Sequence, residues 1–267
     1  MTKQAWALGA LAALAAGCTT TAPAPKPVPE IRPGMLAGYL PKGATPSSLT
    51  LLPAPPAAGS AAQARDDEAA RLAVTASSAP RFAQATLDAD LRFPAVAETF
   101  ACAMDVRISE TDTPRLYTLL RRTLVDNGLS TYPTKNKYQR ARPFTVNGAP
   151  ICTPADEAAL RKDGSYPSGH SAAGWGWALI LAEADPARAD AILARGRAFT
   201  QSRVVCNVHW LSDTEEGRTM ASAVVSRLHA DPDFRADLEA AKAEIVAARA
   251  KGLKPTRDCA AEAAALG

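Results

Sequence analysis

Two residues in the last quarter of the chain have the types and the spacing needed for nucleophilic catalysis. His209 and Asp213 are four positions apart, so on a helix they would share one face and the carboxylate could bond the imidazole. A carboxylate that holds one ring nitrogen leaves the other nitrogen free to attack. We therefore predict that His209 is a nucleophile and that Asp213 orients it.

A second histidine, His170, stands where a loop becomes an apolar helix, in the stretch GSYPSGH. Ser168 or Ser165 is the expected N-cap of a helix that runs to Ala184. Gly169 lets the backbone approach a ligand closely, and the free N–H groups of a helix N-terminus attract anions. The junction is therefore a candidate anion site, with His170 placed to donate a proton there.

Three cations could complete this anion site. Lys135 and Arg142 lie in the stretch KNKYQRARP, and Arg203 lies in SRVVCNVHWLSD. The planar fork of arginine can bind two oxygens of one phosphate. Each feature alone has a simpler explanation, because a basic run is often a solvated face and Asp213 with Glu216 matches a capping box. Their combination favours a phosphate-binding site.

The composition predicts one exported helical domain. The chain has 267 residues, of which 47% are hydrophobic, and alanine is abundant while β-branched runs are scarce. We predict an all-α single domain. The formal net charge of +3 is too small to indicate nucleic acid as a partner. No cysteine pair has CxxC spacing and no cluster has convincing ligand spacing, so we expect no metal and no cofactor.

The N-terminus has the features of a processing signal. Lys3 precedes an apolar run that is too short to span a bilayer and ends in LAAGC, which resembles a bacterial lipobox. We predict a signal peptide over residues 1–18 with lipidation of Cys18, and an ordinary secretory signal is the alternative. The expected location is the periplasm, as an outer-membrane lipoprotein because Thr19 rather than aspartate follows, and otherwise in soluble form. The membrane is expected as a partner only through this lipid anchor.

The rest of the chain is predicted to be helical. A proline-rich tether over residues 19–34 leads into an arm that lies on the domain, and the helices begin near residue 62. Their predicted ranges are 66–77, 81–91, 93–104, 113–127, 168–184, 186–202, 213–229 and 231–250. No strand and no second domain are predicted. The domain is expected to cover residues 35–254, with a C-terminal tail over 255–267.

Three motifs, K-x6-RP, PSGH and SR-x5-H-x3-D, occur in this order and resemble the signature of the type 2 phosphatidic acid phosphatase superfamily. The longer forms GSYPSGH and SRVVCNVHW are similar to bacterial class A non-specific acid phosphatases, from about residue 36 to about residue 250. The resemblance implies an all-helical, metal-free enzyme that hydrolyses small organic phosphate monoesters through a phosphohistidine. It implies attack by His209, orientation by Asp213 and protonation of the leaving alcohol by His170. It also implies phosphate binding by Lys135, Arg142, Ser168, Gly169 and Arg203.

Two other functions stay open from the sequence. A vanadium haloperoxidase resembles this family in the same anion-binding residues, although the short chain and the GSYPSGH context favour the phosphatase. An envelope lipoprotein that binds phosphate without turnover is the non-enzymatic alternative, but it would not need both histidines and Asp213. We also expect a homo-oligomer.

Four cysteines remain after Cys18, and an even number in an exported protein suggests two disulfides. Spacing alone cannot choose among the three connectivities, and four free thiols are the alternative. The family resemblance favours a Cys152–Cys206 bond, which would tie the phosphate-binding segment to the nucleophile segment. The remaining pair, Cys102 and Cys259, would then anchor the C-terminal tail.

Overall fold

A computed structural model describes residues 27–267, so the predicted signal peptide, Cys18 and the first part of the tether lie outside the described residues. Within this range the chain forms thirteen α-helices and one two-stranded antiparallel sheet. The strands are β1 Glu30–Arg32 and β2 Met35–Leu36. The helices are α1 Ser48–Leu51, α2 Ala61–Ala76, α3 Ala79–Ala89, α4 Ala101–Met104, α5 Pro114–Leu129, α6 Tyr132–Tyr138, α7 Pro143–Asn147, α8 Glu157–Leu160, α9 Gly169–Ala184, α10 Ala189–Val205, α11 Leu211–Leu228, α12 Pro232–Ala250 and α13 Cys259–Leu266.

The all-α class is confirmed, but the prediction of no strand was wrong. Strands β1 and β2 pair across a tight turn at Pro33 and Gly34, and Gly34 has φ +79°. Proline presets the first central position of such a turn, and glycine accepts a positive φ at the second. The strands are so short that no alternating pattern marked them. The predicted helix over 93–104 was also partly wrong, because it is a 3-10 segment, Ala95–Phe100, followed by α4.

Helix α9 lies at the centre of the core. Its side chains are small or apolar around nearly its whole circumference, as expected for a helix buried on every face. It packs against α5, α10 and α11. Glycines permit the closest of these approaches, because a Cβ on Gly174 would overlap the ring of Phe199 and a Cβ on Gly196 would overlap Ala178.

The N-terminus of α9 is the element that brings the PSGH motif to the site. Ser168 is the N-cap, as predicted, and its Oγ accepts the Ser171 N–H at 3.2 Å. The Ser168 N–H donates to the carbonyl of Asp213 at 2.9 Å, which joins the start of α9 to the start of α11. A Cβ on Gly217 would lie 2.5 Å from the Ser168 carbonyl oxygen, so only glycine allows these two helices to approach so closely.

The two ends of the described chain are fixed to the helical domain. In the N-terminal arm Leu36, Tyr39 and Leu52 are buried, and the Tyr39 N–H donates to Asp126 Oδ2 at 2.8 Å. Helix α13 packs against α3. The structure contains the two cysteine pairs Cys102–Cys259 and Cys152–Cys206. Within residues 27–267 no helix has both the length and the apolarity needed to cross a bilayer.

Candidate active site

The nucleophile candidate, His209, lies in the loop between α10 and α11 rather than on a helix. Helix α10 ends at Val205, and Asn207 then turns the chain with φ +58°. His209 is buried, with 3% of its surface exposed, and its Nδ1 lies 3.3 Å from Asp213 Oδ2. The predicted contact is therefore present. The helical spacing from which it was predicted was wrong, because α11 begins only at Leu211.

Asp213 holds the histidine from the first turn of α11. Its Oδ2 also accepts the Trp210 N–H at 2.8 Å, so the carboxylate reaches back over the start of its own helix. The alternative explanation of Asp213 and Glu216 as a capping box was wrong, since Asp213 is the third residue of α11 and not its cap. Asp213 is fully buried, and this burial raises the pKa of its carboxyl group.

Arg140, to which the sequence assigned no role, binds the other oxygen of this carboxylate. Its Nη1 donates to Asp213 Oδ1 at 2.7 Å, and its Nη2 donates to Asp66 Oδ2 at 2.8 Å. Gln139 ends α6 with φ +43°, and the chain then passes through Arg140 and Arg142 to the start of α7. Residues two apart in an extended stretch point to the same side, so the RAR spacing gave no signal that separates the roles of the two arginines.

Arg142 binds the opposite end of the histidine–aspartate pair. Its Nη1 lies 3.2 Å from His209 Nε2. Because a guanidinium only donates, Nε2 is the unprotonated nitrogen, and Nδ1 carries the hydrogen that faces Asp213. Burial lowers the pKa of His209 well below its ordinary value, and the charges of Arg142 and Lys135 lower it further. The imidazole is therefore neutral, with its lone pair directed toward the cations.

Lys135, Arg142, Arg203 and Gly169, which were predicted to bind phosphate, all line one cavity with His209, and we call these four residues the phosphate cradle. Lys135 and Arg142 are each 3% exposed and Arg203 is 2% exposed. Burial lowers the pKa of Lys135 to about 8 and that of Arg203 to about 10. Three buried cations around an unprotonated imidazole form a strong site for an anion.

Among residues 27–267 the cations of the cradle have few anionic partners. Asp163 Oδ2 lies 3.0 Å from Arg142 Nη2 and 3.7 Å from Lys135 Nζ, so these two cations share one partly exposed carboxylate. Arg203 Nε is buried without a hydrogen-bond partner among the described residues. A buried N–H group beside a cavity and without a partner indicates a place for a ligand oxygen. The sequence did not single out Asp163, and its isolated position offered no signal.

His170 lines the same cavity. Its Nε2 is 3.0 Å from the carbonyl oxygen of Ala89, the last residue of α3, so Nε2 carries a hydrogen and Nδ1 carries the lone pair of the neutral ring. Burial lowers the pKa of His170 well below its ordinary value, and the charge of Arg203 adds to this effect. A bound phosphate anion would oppose both effects and favour the protonated ring.

The cavity has a volume of about 350 Å³ and contains most of the residues predicted from the three motifs. Asp213 lies behind His209, and Ser168 does not line the cavity because its hydroxyl caps α9. Among residues 27–267 there is no group of three or more His, Cys, Asp or Glu side chains that could hold a metal ion. The arrangement has the groups needed to bind an anion, to attack its central atom from His209 and to donate a proton from His170.

Comparison with known proteins agrees with the motifs and the geometry. A family model described as the PAP2 superfamily matches residues 116–235. Together with the relatives below, this match shows that the chain belongs to the PAP2 superfamily. The family assignment that the three motifs predicted is thereby confirmed.

Within the superfamily the chain groups with acid phosphatases of bacteria. It is 42% identical to the acid phosphatase of Zymomonas mobilis subsp. mobilis, over 78% of this chain and 78% of that protein. It is 42% identical to the non-specific acid phosphatase of Providencia stuartii, over 77% of this chain and 84% of that protein. The non-specific acid phosphatase of Salmonella typhimurium is 38% identical, over 73% of this chain and 78% of its own length.

Proposed function

We propose that this protein is an acid phosphatase that hydrolyses small organic phosphate monoesters through a phosphohistidine at His209. The observation that carries the proposal is the position of one imidazole between a carboxylate and a set of cations. Asp213 Oδ2 lies 3.3 Å from Nδ1, and Arg142 Nη1 lies 3.2 Å from Nε2. The relatives that are named acid phosphatases support the same activity.

The first chemical step transfers the phosphoryl group to the protein. The Nε2 lone pair of His209 attacks phosphorus, the bond from phosphorus to the ester oxygen breaks, and a P–N bond forms. Protonated His170 gives its Nδ1 proton to the departing oxygen, so an alcohol leaves rather than an alkoxide. The cations of the cradle stabilise the charge on the three remaining phosphoryl oxygens.

The second step returns the enzyme to its starting state. Neutral His170 accepts a proton from a water molecule while the water oxygen attacks phosphorus. The P–N bond breaks, its electron pair returns to His209 Nε2, and orthophosphate leaves. Asp213 stabilises the positive charge that the phosphorylated ring carries between the two steps.

The test of this mechanism is a pair of histidine variants. His209→Ala should abolish turnover and the acid-labile phosphoenzyme without unfolding the protein. His170→Ala should slow alkyl phosphates by about 10²–10⁴-fold and 4-nitrophenyl phosphate much less, because a good leaving group needs no proton. His229→Ala is the matched control, since His229 is 39% exposed and pairs with Glu183 away from the site. Near-normal activity of His209→Ala would refute the mechanism.

We propose that catalysis requires no metal ion. Dialysis against EDTA should leave the rate unchanged, and vanadate should inhibit competitively because it would occupy the phosphate cradle. The same vanadate-treated protein can be assayed for bromide oxidation, which a haloperoxidase would catalyse. Activity lost on dialysis and restored by a divalent ion would contradict the proposal.

We also propose that the protein is exported to the periplasm, is held at the outer membrane by lipid on Cys18 and acts as a homo-oligomer. The apolar run that ends in LAAGC supports the first two parts. Labelling of cells with a fatty-acid analogue should mark the wild-type protein and not a Cys18→Ser variant. Light scattering of the purified mature protein measures the oligomeric state, and a monomeric mass would contradict the last part.

A further inference from the structure

The cavity that contains the phosphate cradle is also lined by large apolar side chains, which come from separate parts of the chain. We call the set Met35, Leu91, Leu124, Leu129 and Tyr132 the apolar wall. None of these residues belongs to the motifs that indicated phosphate chemistry.

Helix α5 and the start of α6 provide most of this wall. Leu124, Gly128 and Tyr132 follow one another at intervals of four residues, and Leu129 lies beside them. A Cβ on Gly128 would meet no atom within 4 Å, so the absent side chain leaves open space in the cavity. Leu129 is 40% exposed and Tyr132 is 43% exposed at the cavity rim. Apolar groups of this size that face a cavity are available to a ligand.

Part of the apolar wall lies close to the proposed proton donor. His170, the proposed proton donor, is bonded through Nε2 to the carbonyl of Ala89. Leu91 is only two residues further along the chain and lines the same cavity. The ester oxygen must approach His170 to receive its proton, so the group attached to that oxygen comes close to Leu91.

Charged groups near the wall already have partners inside the protein. Arg92 donates from Nε and Nη2 to the two carboxylate oxygens of Asp90, each at 2.8 Å. Asp163 is paired with Arg142 and Lys135. A leaving group rich in hydroxyls would lose water there and find few new partners, whereas an alkyl or aryl group loses nothing by leaving water.

We propose that the apolar wall is a leaving-group subsite that selects phosphate monoesters of alkyl and aryl alcohols over those of polyols and sugars. The proposal rests on the proposed phosphatase function and specifies its substrate class. The wall should act through binding of the leaving group, so its effect should appear mainly in KM.

A series of n-alkyl phosphates tests the subsite, because ethyl, butyl and hexyl phosphate have leaving groups of nearly equal basicity. The wild-type kcat/KM should rise by about two- to fourfold per methylene, the range expected when a methylene leaves water, until the wall is covered. Glycerol and glucose phosphates should have values below that of butyl phosphate. Leu124→Asn should lower the hexyl-to-ethyl ratio of kcat/KM at least fivefold.

Two further variants separate recognition from damage to the fold. Gly128→Val fills the open space without removing an apolar side chain, and it should also lower the hexyl-to-ethyl ratio. Leu72→Asn is the control, since Leu72 is 46% exposed on α2 and does not line the cavity, and it should change neither the ratio nor the activity. Melting curves identify any variant that fails to fold.

The outcomes distinguish failure of the subsite from failure of the proposed function. If the wild-type protein hydrolyses every ester and the rate does not depend on chain length, or if it prefers glucose phosphate, the subsite proposal is wrong and the phosphatase proposal stands. The subsite proposal is also wrong if neither Leu124→Asn nor Gly128→Val changes the hexyl-to-ethyl ratio of kcat/KM. If the folded protein hydrolyses neither ethyl phosphate nor 4-nitrophenyl phosphate, the proposed function itself is wrong.

Discussion

Replacing Arg140 by glutamine should move the acid limb of the pH–rate profile to higher pH. Arg140 donates to Asp213 Oδ1 at 2.7 Å and to Asp66 Oδ2 at 2.8 Å, in a cluster where both aspartates are fully buried. Burial raises the pKa of Asp213, and the charge of Arg140 is the largest effect that lowers it. Without the guanidinium, Asp213 takes up a proton at higher pH. Because only the ionised carboxylate can support a positively charged His209, activity falls as pH drops through the raised pKa.

The effect on stability should be large. Removing one partner of a buried ion pair leaves an uncompensated charge and costs about 3–5 kcal/mol. Arg140 also donates to Ser212 and Gln63, at 2.8 and 2.7 Å, so the variant loses these two hydrogen bonds as well. Arg140→Lys keeps the charge but loses the fork that reaches two carboxylates, so it should lie between the wild type and Arg140→Gln.

The assay compares pH profiles of kcat with 4-nitrophenyl phosphate and denaturant unfolding for matched variants. Arg65→Gln is the control, because Arg65 also joins α2 to α11 through Glu215, but its side chain is 58% exposed. Such a pair contributes about 0–1 kcal/mol, so neither readout should change much. Adding Asp66→Asn to the Arg140→Gln variant should recover stability in denaturant unfolding, but it should not restore the wild-type pH profile of kcat. An acid limb that stays at its wild-type pH in Arg140→Gln would refute the assignment of Arg140 to Asp213.

Three other outcomes follow from individual contacts. Gly217→Ala should destabilise the protein by about 1–3 kcal/mol in urea unfolding, because the new methyl group would lie 2.5 Å from the Ser168 carbonyl oxygen, and a variant as stable as the wild type would contradict this packing. Inhibition by inorganic phosphate should weaken as pH rises through about 8, because Lys135 loses its proton there, and an inhibition constant that is flat from pH 7 to 10 would show that Lys135 is not a ligand. Peptide mapping without reduction should recover Cys152 linked to Cys206, and any other partner for either cysteine would contradict the pairing.

Local sequence patterns correctly predicted the helices whose ends are marked by residues close by in the sequence. Ser168 caps α9 and the helix ends at Ala184, as the change from turn-forming to apolar residues indicated. His209 and Asp213 do meet, but for a different reason than the one expected. The chain reverses at Asn207 and then enters α11 with Asp213 in the first turn, so the contact depends on a helix start rather than on helical spacing.

The residues that were missed have roles that exist only in the tertiary structure. Asp66 was expected to start a helix, yet it lies inside α2, where it accepts from Arg140 on a segment more than seventy residues away. Asp163 is one acidic residue in a loop until the fold brings it to Arg142. No spacing rule connects such pairs, because partners far apart in the sequence have no fixed separation. The apolar wall could not be predicted for the same reason, because α5 and the N-terminal arm contribute its residues from distant parts of the sequence.

The charges of the site indicate how the two histidines would come to differ in protonation once a substrate is bound. Without a bound anion, both imidazoles are kept neutral by burial, and the arginines beside them add to this effect. A phosphate monoester would bring the missing negative charge to the cradle, where Arg203 Nε has no partner among the described residues. The two rings would then respond differently, because His209 Nε2 faces the phosphorus with its lone pair while His170 Nδ1 is free to take up a proton. Substrate binding would therefore create the acid that the first step needs, and mildly acidic conditions would help it to do so.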